Sequence, residues 1–436
     1  MTSDDTHAQT VELLKDHGYF ELNPDQVILM KQEKVAALSD SEAHMTLQDD
    51  YTIATKPHGH GDVHLLLHST GLAQKWASQG KSHVVFFQDT NAMFFATVLA
   101  ALGVSSTRHF AVNSVSVPRK AKEAMGAIAK LQRDDGTSLT CNVEYNQLEP
   151  LLQATGQPEG DVNDPHTGYS PYPGNINQLI IAIPDYVSVL QATHGLVPDF
   201  VNPKYADDTR TKFKKPTRLE SMMQDLPKLL PPSASVGFTQ FDSWTFCPVK
   251  NALSEAKAAV AKGVPSRCAS EGELEFYASW CRRLEACGAH VAAAQPWEIT
   301  GFSLARRPHV VCSPAFAPCF TIMKQRIKDG PGVHINQGST LVLDGHDIEL
   351  HSLNLTGALI VRAVPGAKVV IKDAVVSNEG WHLQRLADLS EEEAADAPEW
   401  QQIRGYRLKP DEAYVAIFNE PGEYELTGEL GAGEHA

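Results

Sequence analysis

The stretch Lys56-Pro57-His58-Gly59-His60-Gly61-Asp62-Val63-His64 sets three imidazoles and a carboxylate around two glycines. Glycines spaced this way let backbone N–H groups come close to a ligand, and at the start of a helix those groups favour an anion. Further on, Val84-Val85-Phe86-Phe87-Gln88-Asp89-Thr90-Asn91 is a β-branched and aromatic run that ends in an acid. It reads as a buried strand delivering Asp89 to the carboxyl edge of a parallel sheet, where open α/β sheets place ligands. An anion cradle beside a carboxylate is the layout of metal-assisted phosphate chemistry. The histidines also invite a metallohydrolase reading, but HxHxDxH is one residue longer than the HxHxDH spacing of histidine-rich metal turns. The plain alternative is a helix-capping glycine turn whose histidines are incidental.

Other candidates are weaker one by one. Lys250 follows the apolar run Phe238–Phe246, where a strand-end lysine is usually solvated. Asn175 and Asn177 alternate around Ile176, which on a strand puts two amides on one face, a pattern suited to sugar hydroxyls. Glu144 closes a similar strand-like run. Lys212, Lys214, Lys215 and Arg218 form a candidate basic pocket, and a solvated loop is the plainer reading of that run.

The elements that must position these residues alternate. Residues 26–30 read as a short strand, 62–79 as a helix, 83–88 as the central strand and 91–102 as a helix. Residues 109–112 are strand-like, 118–130 helical, 139–145 strand-like, and 175–182 an element of undecided type. Residues 217–230, 252–262 and 271–287 read as helices. Such alternation predicts a mostly parallel α/β sheet. From Pro331 the texture changes to short apolar runs punctuated by Gly345, Gly357 and Gly366, the pattern of stacked β-helix turns or a small sandwich. The predicted division is therefore 1–330 and 331–436.

Composition bounds the function. With 436 residues and 42% hydrophobic content the chain can bury a substantial core. A net charge of −16 argues against general nucleic-acid or anionic-membrane binding, which needs Lys/Arg surfaces. Seven cysteines with no CxxC pair suit a reducing compartment. No apolar run is long enough to span a membrane, and the polar, acidic N-terminus is not a signal peptide, so the cytosol is expected.

Read in order, the motifs resemble the UDP-sugar pyrophosphorylase family. The matches are Met1 to His7 (MTSDDTH), Lys31 to Val35 (KQEKV), Lys56 to His64 (KPHGHGDVH), Phe86 to Asn91 (FFQDTN) and Pro118 to Gly126 (PRKAKEAMG). They continue with Asn142 to Leu148 (NVEYNQL), Pro173 to Leu179 (PGNINQL), Phe200 to Tyr205 (FVNPKY), Arg218 to Asp225 (RLESMMQD), Pro248 to Asn251 (PVKN) and Gly357 to Val361 (GALIV). The resemblance implies a Rossmann-like nucleotidyltransferase sheet, mixed and mostly parallel, with a small C-terminal β-helix. It implies a Mg²⁺-dependent, reversible uridylyltransferase acting on UTP and sugar 1-phosphates.

Carried over by motif, Gln32 pairs with the uracil edge, Gly59 offers backbone contact to the uridine, and His60 sits by the α-phosphate. Asp89 binds the metal, while Glu144, Asn175 and Asn177 hold sugar hydroxyls. Lys250 meets the phosphates during transfer, and Lys122 is a looser candidate for the same role. The family's glycine-rich nucleotide loop, LGGLGxRLG-like, has no counterpart ahead of MTSDDTH in this sequence. The chain is thus expected to correspond to the C-terminal portion of such an enzyme, with an open sheet edge prone to association. An inactive sugar-nucleotide binder or regulator is the alternative.

Overall fold

The structure, a computed structural model, describes residues 1–201 and 203–435; Asn202, within the FVNPKY match, lies outside them. Its contacts divide the chain into two units, Met1–Gln88 with Ala100–Ser243, and Asp89–Leu99 with Trp244–Ala436.

The first unit opens with helix α1 (His7–Asp16), strand β1 (Lys34–Asp40) and strand β2 (Thr55–Pro57). Helices α2 (Asp62–Ser69) and α3 (Leu72–Ser78) and strand β3 (His83–Phe86) follow. After helix α4 (Phe94–Arg108) come β4 (Val112–Val117), β5 (Ala127–Gln132), β6 (Ser138–Val143) and helix α5 (Tyr145–Ala154). Then follow β7 (Gly174–Ala182), helix α6 (Ile183–Thr193), β8 (Asp199–Val201), β9 (Lys212–Ser221) and β10 (Val236–Gln240).

The principal sheet has the order β10-β4-β7-β5-β6, with β3 paired along the C-terminal part of β7. It is mixed: β10 and β4 run parallel, and β7 runs against β3, β4 and β5. A second sheet, β8-β9-β1-β2, is antiparallel. The core of this unit gathers Leu67, Val112, Leu179, Ile181, Tyr186, Leu190 and Leu226. Full burial of such a side chain contributes about 1.5–3 kcal/mol.

The second unit is an α/β arrangement of its own. Helices α7 (Leu253–Val260) and α8 (Ala269–Ala286) lead into parallel strands that stack turn upon turn, the β-helix expected from the glycine punctuation. One face stacks His309–Cys312, Thr340–Asp344, Ala358–Ala363 and Tyr414–Phe418, so that Val310, Leu341 and Leu359 form one inward column and Cys312, Leu343, Val361 and Ala416 another. The other face stacks His290–Val291, Val333–Ile335, Leu353–Thr356 and Ala367–Ser377. Helix α9 (Phe320–Arg326) interrupts the stack.

Several local expectations are corrected. The helix over 62–79 is two helices, because Gly71 takes φ +70° between them. Residues 118–130 are not helical; they form a loop that enters β5, drawn inward by the wholly buried Arg119. Residues 217–230 give the end of β9 and a 3₁₀ turn (Met223–Leu229). There Thr217 and Arg218 pair with Leu38 and Ala37, and Pro227 cannot sit comfortably in a helix interior. Residues 26–30 form no paired strand, although Thr2 bridges Lys31 in parallel. The undecided 175–182 is strand.

Among the described residues β7 is the one strand paired with β3, which leaves the other edge of β3 open. An open edge of Val84-Val85-Phe86 is a template for pairing with another chain. A charge there, Val85→Lys, is expected to lower the concentration-dependent apparent mass in light scattering; an unchanged concentration dependence would contradict that role for the edge.

Candidate active site

The glycine turn joins β2 to α2 and lies hard against the segment after β9. Gly59 has φ +137°, and a Cβ there would stand 2.4 Å from the Ser221 carbonyl oxygen; a Cβ on Gly61 would stand 2.7 Å from the Ser221 Cβ. No side chain fits at either position without moving backbone. The contact is sealed by hydrogen bonds: Gly61 N–H donates to Ser221 O (3.1 Å) and Ser221 N–H to His58 O (3.2 Å). Met223 N–H donates to His60 Nδ1 (3.1 Å), which leaves Nε2 as the donor nitrogen of that ring. Gly59 N–H in turn donates to Gln32 Oε1 at a long 3.4 Å. Gln32 is held by its own backbone, whose N–H donates to Thr2 O (2.8 Å). Gln32, Gly59 and His60 are thus brought together, with the MTSDDTH segment behind them.

The three other polar residues of the turn have different tasks. His58 lies between two carboxylates, Nδ1 2.6 Å from Asp62 and Nε2 3.1 Å from Asp199. His64 is fully buried, with Nδ1 2.7 Å from the Tyr186 hydroxyl and Nε2 donating to Met223 O at 3.0 Å. Burial pushes its pKa down to about 4 and pushes the Tyr186 hydroxyl up. The imidazoles therefore diverge, and among the described residues no group of three His, Cys, Asp or Glu is placed to hold a metal. The metallohydrolase alternative is corrected on that ground, since both ring nitrogens of His64 are committed inside the core.

A second polar group forms where β7 meets β5 and β6. The Asn142 amide donates to Glu144 (2.7 Å), Asn175 donates to Asn142 Oδ1 (3.1 Å), and Asn177 N–H donates to Asn175 Oδ1 (3.0 Å). Glu144, Asn175 and Asn177 are brought together, but not by simple alternation. The register slips between Val115 and Ser116 on β4, whose partners are Gln178 and Asn175, so Ile176 and Asn177 form a bulge with Asn177 at φ +55°. Asparagine tolerates that left-handed geometry, and bulges of this kind re-aim side chains. Asn142 was missed in the sequence; its signal was its place two residues before Glu144 within a polar strand end.

Lys122 belongs to the loop before β5. Its N–H donates to Asp161 (2.8 Å), while its amine pairs with Glu149 on α5 at 3.1 Å. The loop is anchored by Arg119, another residue that sequence reading passed over. Its guanidinium, wholly buried, bonds Asp161 (2.9 Å), Ser170 (3.1 Å), Tyr172 O (3.2 Å) and Lys120 O (3.2 Å). Burial raises the Asp161 pKa, yet the Lys122 N–H, the Ser170 hydroxyl and Arg119 together hold it below the usual carboxylate range. The basic run divides: Lys212, Lys214 and Lys215 are exposed on β9, and Arg218 pairs with Glu220.

Asp89 and Lys250 lie in the second unit, on adjoining stretches. Val249 N–H donates to Thr90 O (2.9 Å), so the two residues each stand one position from the same bond. Buried Asn91 fixes the pair of stretches, its amide donating to Thr245 O (3.2 Å) and accepting from Cys247 N–H (3.1 Å). Lys250 N–H and Asn251 N–H both donate to Arg267 O. Both Asp89 and Lys250 are exposed, and neither makes a side-chain hydrogen bond or ion pair among the described residues. The uncommitted Asp89 carboxylate fits a hard cation such as Mg²⁺, which takes one or two carboxylates and completes its shell with phosphate oxygens and waters, while the uncommitted Lys250 ammonium on the adjoining stretch suits phosphate oxygens themselves.

No family model matches the chain. It is 48% identical over 413 residues to a UDP-sugar pyrophosphorylase of Oryza sativa subsp. japonica, covering 94% of this chain and 65% of that protein. It is 44% identical over 429 residues to a UDP-sugar pyrophosphorylase of Arabidopsis thaliana, covering 98% of this chain and 68% of that protein. The chain thus spans about two thirds of the length of these relatives. A crystal structure from Entamoeba histolytica, provisionally assigned as a UDP-N-acetylglucosamine pyrophosphorylase, shares the fold with a TM-score of 0.51 and 16% identity, over 79% of this chain and 76% of that one.

Two outcomes follow from the buried polar groups. Because the folded pKa of His64 is depressed to about 4, the unfolded chain takes up the proton first. Stability is then complete above about pH 6.5 and is lost as pH falls toward 4, by about 3 kcal/mol for this group. Urea melts across that range should show the loss, and His64→Gln should flatten it; identical pH slopes would contradict the assignment. Arg119→Met should cost about 3–5 kcal/mol, because it leaves Asp161 buried and uncompensated; a loss under 1 kcal/mol in the same melts would show that water replaces the guanidinium.

Proposed function

The chain belongs to the UDP-sugar pyrophosphorylase family, and we propose that it transfers a uridylyl group from UTP to sugar 1-phosphates, reversibly and with Mg²⁺. The observation that carries the reading is the glycine turn of the first unit, which leaves Gln32, Gly59 and His60 side by side; within the second unit, taken by itself, the Thr90–Val249 bond sets uncommitted Asp89 and Lys250 on adjoining stretches.

In this reading the long Gly59–Gln32 contact gives way to the uracil edge, which offers a donor and acceptors to the same two groups. His60, accepting at Nδ1, donates from Nε2 to an α-phosphate oxygen. Glu144, Asn175 and Asn177 hold hydroxyls that many sugars share, so tolerance of several sugar 1-phosphates follows if the variable positions are left unhindered. The phosphate oxygen of the sugar attacks the α-phosphorus in line, the bond between the α-phosphorus and its bridging oxygen breaks, and pyrophosphate leaves. No protein nucleophile is needed, and the chain supplies position and charge. Mg²⁺, held through Asp89, supplies neutralisation of the phosphates when bound. Lys250 neutralises the charge that builds on the transferring group. Lys122 can join only by leaving Glu149.

The functional division that accompanies this reading is a catalytic domain over 1–330 and a β-helix domain over 331–436, supported by the fact that every candidate residue precedes Pro331. A cytosolic location is proposed with it, supported by seven cysteines that are all free thiols. No helix among the described residues is long and apolar enough to cross a membrane.

The test is a coupled pyrophosphate-release assay with UTP, Mg²⁺ and a panel of sugar 1-phosphates. Turnover is expected, with kcat lowered about 10²–10³-fold by Lys250→Met and Mg²⁺ dependence weakened by Asp89→Asn. Binding of UDP-glucose without turnover on any sugar would instead favour an inactive sugar-nucleotide binder. Failure to bind either nucleotide would end both readings.

A further inference from the structure

The second unit contains a cavity of about 310 Å³ that takes no part in the chemistry above. One wall is a single face of α8, where Phe276, Trp280 and Arg283 recur at helical spacing; Phe95, from the start of α4, which up to Leu99 belongs to this second unit, and Phe320 and Met323 of α9 supply the rest. The lining is apolar except at one end. There the Arg283 guanidinium lies over the Trp280 ring, 4.3 Å from its centroid.

Three arginines on or against α8 have carboxylate partners and Arg283 has none. Arg282 is paired with Glu275, Arg307 with Glu285 and Arg404 with Glu273, which commits three acids of α8 elsewhere. Among the described residues no carboxylate lies within ion-pair distance of Arg283, and burial lowers its pKa. Trp280 is only 7% exposed, and its indole N–H also lacks an acceptor among those residues. An indole N–H buried without an acceptor is costly unless something supplies one, and the half-buried guanidinium beside it has no counter-charge.

We propose that this cavity binds a small amphipathic anion, its apolar body filling the space between α4, α8 and α9 and its anionic head meeting Arg283. At roughly 30 Å³ for each water-sized group, the space suits about ten heavy atoms, the size of octanoate. Carboxylate and phosphate heads share the chemistry that Arg283 selects, and the probes separate them. The inference does not rest on the uridylyl-transfer reading, because none of the residues assigned to that reaction lines the cavity.

The test is isothermal titration of the whole chain with octanoate, octyl phosphate and 1-octanol, alongside quenching of tryptophan fluorescence. One anion is expected to bind per chain, at least about tenfold tighter than the alcohol, with the preferred head identifying the class. Arg283→Met keeps the aliphatic stem and removes the charge; it should bring anion binding down to the level of the alcohol. Equal affinity for anion and alcohol, or full anion binding by a folded Arg283→Met variant, would overturn the proposal. Should that variant fail to fold, Ala96→Leu fills the cavity from α4; it must abolish octanoate binding, and undiminished binding would refute the site.

Discussion

The contact between two glycines and the chain at Ser221 is the constraint on which the proposed nucleotide side of the site depends. Gly59 and Gly61 approach that backbone more closely than any side chain allows, so the turn and the end of β9 behave as one rigid piece. Everything placed nearby inherits that fit. Met223 N–H fixes the His60 ring, His58 ties the turn to α2 and to β8 through Asp62 and Asp199, and Gln32 reaches Gly59 N–H from a separate stretch. The glycines therefore serve two ends: they free backbone N–H groups for a ligand, and they let the turn seat at all. His64 anchors the same turn from beneath, exchanging hydrogen bonds with Tyr186 and with Met223 O in the core.

The proposed sugar side of the site is built on a different principle. There a bulge on β7 and a chain of amides, Glu144 to Asn142 to Asn175 to the Asn177 backbone, hold polar atoms in fixed relation. A satisfied network of this kind rigidifies, and its members cannot be exchanged singly without leaving a neighbour unpaired. Arg119 and Asp161 perform the equivalent service for the Lys122 loop. In the second unit the buried Asn91 amide joins two stretches so that Asp89 and Lys250 remain exposed beside each other. In each case buried, bonded polar groups fix the stretches that carry the candidate residues, and only Asp89 and Lys250 are left both exposed and uncommitted.

Much of this was legible in the sequence, and the reasons it stopped are physical. Val84-Val85-Phe86 announced a strand because β-branched and aromatic residues fit a half-buried pleat; it is an edge strand, antiparallel to β7, rather than the central one expected, and it ends at Phe86, short of Asp89. Gly357 and Gly366, both at positive φ, marked the turns of the β-helix where a side chain would meet the next coil. Periodicity failed where burial of a charge overrode it. The run 118–130 has helical spacing, but Arg119 goes to the interior and takes the backbone with it. The run 217–230 has apolar spacing too, yet pairing with β1 claims its first part. Asn175 and Asn177 lie together in the polar network, though alternation could not foresee that Asn177 itself is left-handed within a bulge. Asn91 and Arg119 carried no signal that distinguishes a buried, bonded polar side chain from a solvated one, and Asn142 only its place two residues before Glu144.

The central claim is that the glycine turn receives the uridine. Glycine-selective ¹⁵N labelling with heteronuclear NMR, on addition of UDP-glucose and Mg²⁺, reads it at one atom. The Gly59 amide should shift saturably as its bond to Gln32 is replaced, with the Gly61 amide responding at the same ligand concentrations. Saturable shifts confined to glycines elsewhere, with Gly59 unmoved, would contradict the account.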